Sequence, residues 1–219
     1  KISVVMENVK IAIKRIDWYK LGLYVVIFVG IFLRLKGFLS NPSFWHDECA
    51  LAWNILHKNY FELFHQLRFL QVAPPLFLIL AKGLLEIFKT GNNIFLTDMV
   101  LVSVPFCAGI LSILVFYLIS KEVLESKLAQ IFALFLFVTN NKMIIYSCQF
   151  KQYSTDILFV LLTMLFFLKL NPEKISKKGL ILSGIFSFLC IWFSFVTVFF
   201  WVSGFIWILC KRKGLNHFF

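Results

Sequence analysis

Charge is scarce in this sequence. Only 15% of its 219 residues are Asp, Glu, Lys or Arg, while 60% are hydrophobic. A soluble domain of this length needs far more polar surface to cover its core, so the composition excludes a soluble enzyme and a disordered chain. Cysteine is scarce too, and poorly spaced for pairing. Cys49, Cys107, Cys148, Cys190 and Cys210 are scattered, odd in number and without a CxxC. That excludes a disulfide framework and gives no support to a metal or redox motif. They read as small apolar side chains. No low-complexity linker or internal repeat marks a boundary, so the chain reads as one domain. The first apolar segment is too long for a cleavable signal and lacks a small-residue cleavage site, so no cleavage is expected.

What is abundant is apolar and aromatic. Aromatic residues make up 18% of the chain, with 28 Phe, and the mean hydropathy is +0.86. Apolar segments fall at about 21–38, 74–88, 99–119, 128–146, 157–170 and 180–209. A helix needs about 20 residues to cross the hydrocarbon layer. These runs predict an all-α, polytopic helical membrane protein. The net charge of +11 then reports topology rather than a nucleic-acid partner. The chain opens at Lys1, with Met6 a candidate start, and is expected to be the N-terminal part of a longer protein.

Lys and Arg mark the cytoplasmic side. They cluster at 10–20, 169–178 and 211–213. The first cluster puts the N-terminus inside and residues 39–73 outside. If 74–88 crossed, the lysines at 169–178 would lie outside. If it stays outside as an interfacial helix, 14 Lys/Arg and 5 acids fall inside, against 8 and 6 outside. That segment is also short, opens with Pro74-Pro75 and carries Lys82 and Glu86. The expected spans are therefore 21–38, 99–119, 128–146, 157–170, 180–194 and 195–210, the last two a hairpin turning near Ser194. Asn140-Asn141-Lys142 interrupts the third. A long outer loop runs from about 39 to 97. Its Leu51, Ile55, Leu63, Phe64 and Leu67 recur at helical spacing and predict interfacial helices. A short outer loop spans about 147–155.

The ionisable residues cluster in these loops. Asp47 and Glu48 open the first outer helix. Asp156 sits where the second loop enters a span, and Lys151 lies five residues before it. Acids at a span end are functional candidates. Adjacent helical residues point about 100° apart, so Asp47 and Glu48 cannot serve one atom as a pair. Both also suit the positive end of a helix. His46, His57 and His65 make no ligand pattern and read as surface histidines. Trp45, Trp53, Tyr60 and Phe61 read as an aromatic belt, with Trp45 also placed to stack on a sugar. Gln71 either hydrogen-bonds a ligand or faces water. Gln149, Lys151, Gln152, Tyr153 and Asp156 offer donors, a cation and a carboxylate at one membrane depth. That set suits an anionic lipid head group with a polar portion attached.

Three motifs in order carry a resemblance. They are Phe44-Trp45-His46-Asp47-Glu48, then Gln71-Val72-Ala73-Pro74-Pro75-Leu76, then Tyr146-Ser147-x-Gln149-x-Lys151-Gln152-Tyr153-Ser154-x-Asp156. Over about 21–201 the chain resembles bacterial integral-membrane glycosyltransferases of the GT-C class. It is most similar to family 39, with the protein O-mannosyltransferases, the lipid A aminoarabinose transferase and the Rgt-type galacturonosyl transferases. The resemblance implies a GT-C-like N-terminal module in the inner membrane and a polyprenyl-phosphate sugar donor. It implies transfer at the outer face to a lipid, glycan or protein hydroxyl. Asp47 then belongs to the catalytic centre with Glu48 beside it, and Asp156 matches the second-loop acid. Lys151, or Arg68 in its place, would meet the phosphate. Gln149, Tyr153, Gln71 and Trp45 complete the expected substrate contacts. The chain departs from the pattern at Thr97-Asp98, where relatives often carry Leu-Arg, and at Lys151, where many carry Arg. Relatives divide between metal-using and metal-free enzymes, so a divalent metal stays open. A transporter or flippase of lipid-linked material is the competing reading, although coupled transporters keep ionisable residues near the bilayer midplane rather than its outer rim. A non-catalytic membrane scaffold is a third.

The topology is checked with cysteines placed at Asn92 and Ser126 in a background without native cysteines. The Asn92 position should react with an impermeant thiol reagent from outside, and the Ser126 position only after permeabilisation. The reverse pattern would overturn it.

Overall fold

Among the described residues, two helices are long and apolar enough to cross a membrane. The first, α1 (Trp18–Ser40), has 23 residues, and α4 (Ile94–Val123) has 30. At 1.5 Å per residue they reach about 35 and 45 Å, against a hydrocarbon layer of about 30 Å. The computed structural model describes residues 17–40, 43–91, 93–171 and 177–212. Most of the basic cluster at 10–20, together with Asn92, Lys174 and Lys213, lies outside the described residues. Among those described, the chain is all-helical, with no strand. The other helices are α2 (His46–His57), α3 (Pro75–Phe88), α5 (Lys127–Thr139), α6 (Asn141–Tyr146), α7 (Tyr153–Lys169), α8 (Lys177–Phe193) and α9 (Thr197–Arg212).

α4 is the central pillar, in contact with α1, α3, α5, α6 and α7. α1 leaves Tyr24, Val25, Phe28, Phe32, Leu35 and Leu39 exposed. A soluble monomer rarely shows so much contiguous apolar surface.

α3 has 14 residues, about 21 Å. Pro75 holds its first turn, where a missing N–H costs nothing, and Lys89 ends it in a left-handed conformation with φ 48°. α3 packs with α2 and the two 3-10 turns, Glu62–Phe64 and Arg68–Leu70, into a cap on the N-terminal part of α4. Leu51, Ile55, Leu63, Phe77 and Leu78 fill its core with Leu101 and Val104 of α4. Phe150, from the far side of the sequence, is buried in the same core.

The expected continuous span 128–146 is two helices. α5 ends at Thr139, and Asn140 takes φ −61° and ψ 118°. Its Oδ1 accepts from the N–H groups of Lys142 and Met143 at 3.0 and 3.2 Å. The amide replaces the backbone carbonyls a continuous helix would offer, so it starts α6 as an N-cap. Residues 194–196 separate α8 from α9. Gly204 of α9 permits close contact with α7, since a Cβ there would fall 2.0 Å from Phe167 Cζ.

The cap core generates a stability contrast. Phe77 is fully buried and Phe61 is 73% exposed. Phe77→Ala should cost about 3–5 kcal/mol and lower the thermal midpoint of the detergent-solubilised protein. Phe61→Ala should leave that midpoint nearly unchanged. Equal shifts would mean that the cap has no such core.

Candidate functional site

The site is built on the first turn of α2. Trp45 is its N-cap residue and Glu48 stands three positions on. Glu48 Oε2 reaches back to the Trp45 N–H at 2.9 Å, the return half of a capping box. Its Oε1 accepts from the Phe150 N–H. The Glu48 residue is only 4% exposed. One buried carboxylate thus ties the loop after α1 to the loop before α7. Asp47, about 100° around the helix, faces outward with its side chain 71% exposed, and its Oδ1 lies 4.0 Å from His46 Nδ1.

The Phe150 ring stacks against Phe44 and Phe77, with centroids 5.9 and 5.6 Å away. This anchor delivers the residues that follow it. Lys151 Nζ donates to Gln71 Oε1 at 2.8 Å, and Gln152 Nε2 donates to the Val72 carbonyl at 3.3 Å. The turn before Gln71 is strained. Phe69 and Leu70 take φ of 60° and 54°, a region that bulky side chains avoid. All three sequence motifs therefore meet, although they lie far apart along the chain.

The first and third enclose a cleft of about 360 Å³ lined by Trp45, His46, Asp47, Glu48, Gln149, Lys151 and Tyr153, and the second reaches it through the Lys151–Gln71 bond. A second cleft, of about 510 Å³, shares Trp45, Glu48 and Gln149 and continues to Ser40, Ser43 and Lys142. Lys151 is half-buried. Burial lowers its pKa, while the Asp47 and Glu48 carboxylates pull it back up. Asp47 is the acid of the first cleft whose oxygens are not taken by backbone donors. Among the described residues, no three His, Cys, Asp or Glu side chains gather to hold a metal ion.

Three candidates line neither cleft. Gln71 reaches the first only through Lys151. Arg68 lays its guanidinium over the Trp53 ring, 4.9 Å from the centroid. Its backbone N–H and carbonyl are bound by the Asn54 side chain. Asp156, in the first turn of α7, faces Ser194 between α8 and α9. Neither Asp156 Oδ1 nor Ser194 Oγ has a partner at hydrogen-bond distance. His46, read from sequence as a surface histidine, lines the cleft. Ser40, Ser43, Lys142 and Phe150 were not candidates. Phe150 had a signal, as the apolar residue in the middle of a polar run. The other three had none, because folding alone brings them to the second cleft.

No family model, curated protein or solved structure matches this chain.

The Glu48 bridge is open to a direct test. Glu48→Gln keeps the shape but leaves only one acceptor oxygen for two buried N–H donors. An unsatisfied buried donor costs about 1–3 kcal/mol. Amide exchange across 147–153 should speed up relative to 77–88. Unchanged exchange would show that the two loops are held by something else.

Proposed function

We propose that this chain is the membrane-embedded module of a glycosyltransferase. It moves a sugar from a polyprenyl-phosphate donor to an acceptor hydroxyl at the outer face of the inner membrane. The reading rests on the three-motif resemblance and on one geometric observation: a free carboxylate, Asp47, and a half-buried cation, Lys151, line the same cleft. The apolar surface of α1 and the length of α4 support placement in a bilayer, and the Lys/Arg distribution supports an orientation with the N-terminus cytoplasmic and the two loops outside.

The chemistry follows from these residue types. The acceptor hydroxyl gives its proton to Asp47 as its oxygen bonds to the anomeric carbon. The bond from that carbon to the phosphate oxygen breaks, and the lipid phosphate leaves with the electron pair. A single displacement of this kind inverts the anomeric centre. A placed base contributes about 10²–10⁴-fold. Lys151 neutralises the departing phosphate from a position fixed by Gln71, and such preorganised charge is worth most where water is excluded. Trp45, 72% exposed, offers a face for the sugar ring. Glu48, with both oxygens engaged, positions the loops rather than exchanging protons. Two clefts sharing one wall suit a reaction with two substrates, donor and acceptor.

Transfer assays on the full-length protein decide the matter. Asp47→Asn should cut turnover by about 10²–10⁴ while leaving the protein folded in membranes, and near-normal activity would refute the assignment. Lys151→Ala should raise the apparent KM for the donor, and Lys151→Arg should keep most activity as a different but permanent cation. The pH profile carries a further signature. Lysine is charged below its pKa, and burial lowers that pKa. Donor use should therefore decline on the alkaline side sooner than an ordinary lysine would allow, and Lys151→Arg should move that limb to higher pH.

A further inference from the structure

Arg34 is buried inside α1 at 1% exposure. Among the described residues it has no carboxylate at ion-pair distance. A guanidinium taken out of water is costly unless something answers its charge. Here the answer is the end of a broken helix. Arg34 Nη1 donates to the Gly30 carbonyl one turn back, at 3.1 Å, and to the Val138 carbonyl at 3.3 Å. Val138 lies in the last turn of α5. The carbonyls there lose their helical partners because the chain breaks at Asn140, whose own side chain takes the Lys142 N–H. Arg34 supplies both a donor and a positive charge at the negative end of that helix.

The same residue holds the other side of the break. The Arg34 carbonyl accepts from Cys148 Sγ at 3.6 Å. Ser147 sits tight against Gly109 of α4, where a Cβ would fall 2.5 Å from Ser147 Cβ and 3.5 Å from Arg34 Nε. α1, α5 and the start of the second outer loop converge on this one residue, its guanidinium at the end of α5 and its backbone carbonyl at Cys148, beside Gly109 of α4. Gln149, Phe150 and Lys151 follow directly.

We propose that Arg34 is a positioning residue: it caps α5 at the Asn140 break, seats Ser147-Cys148, and so sets where Gln149 and Lys151 enter the cleft. Its consequence for sugar transfer rests on the function proposed above, but its geometry does not.

Two native cysteines supply the test. Cys49 is exposed and Cys148 is buried. With Cys107, Cys190 and Cys210 replaced by Ala, a maleimide added to native membranes should modify Cys49 and spare Cys148. Arg34→Met should speed modification of Cys148 by about tenfold or more, as local opening becomes easier, and leave the Cys49 rate unchanged. Arg34→Lys should restore part of the protection, since an ammonium can still reach a carbonyl but lacks the planar fork. Persistent protection of Cys148 in Arg34→Met overturns the proposal, as does equal exposure in Arg34→Lys and Arg34→Met. If Arg34→Met does not accumulate, Gly109→Ala decides. It keeps the arginine but wedges Ser147 away, and Cys148 should again become reactive; continued protection overturns the proposal there too. A wild-type protein that labels as expected yet transfers no sugar counts against the function and not against Arg34.

Discussion

The Glu48 carboxylate accepts from the Trp45 N–H three residues away and from the Phe150 N–H 102 residues away. That bridge joins the two loops that build the candidate site at one buried group. A hydrogen bond to a charged acceptor contributes about 1.5–3 kcal/mol, and here two of them share one buried group. The bridge also closes a circuit. Phe150 is locked into the cap core, Lys151 is delivered to Gln71, and the strained turn at Phe69-Leu70 is held against the second loop. Without it, the two loops would be joined only by the Phe150 ring in the cap core and the Lys151–Gln71 and Gln152–Val72 bonds.

The adjacent acids divide the work by direction alone. Helical geometry turns Glu48 inward and Asp47 outward. The inward one is consumed by structure and the outward one keeps its oxygens free. Their identical charge concealed opposite roles, and only the partners of each distinguish them.

The break at Asn140 shows the cost of irregular backbone in an apolar setting. A carbonyl freed by the break and buried among side chains needs a donor. Asn140 serves the new helix and Arg34 serves the old one. A charged residue in an apolar helix thus acts as a substitute for missing backbone hydrogen bonds. The break lets the chain turn from α5 into the short α6 and then present a polar run beside the cap.

Much of this was legible in the sequence. The all-helical class and the two long apolar helices follow from composition and run length. A 14-residue α3 opening at Pro75 follows from the proline pair and the short apolar run. The grouping of Trp45, Asp47, Gln149, Lys151 and Tyr153 was expected from three motifs in order. The rest depended on distance in space. Arg68 lies over Trp53 and Asp156 faces Ser194, so neither lines a cleft. Nothing in the sequence pattern marks Arg34. Sequence patterns report local propensity and periodicity, because those arise between near neighbours. Whether a carboxylate is free or buried, or an arginine caps a helix, is decided by groups a hundred residues away, which only the folded chain brings within hydrogen-bond distance.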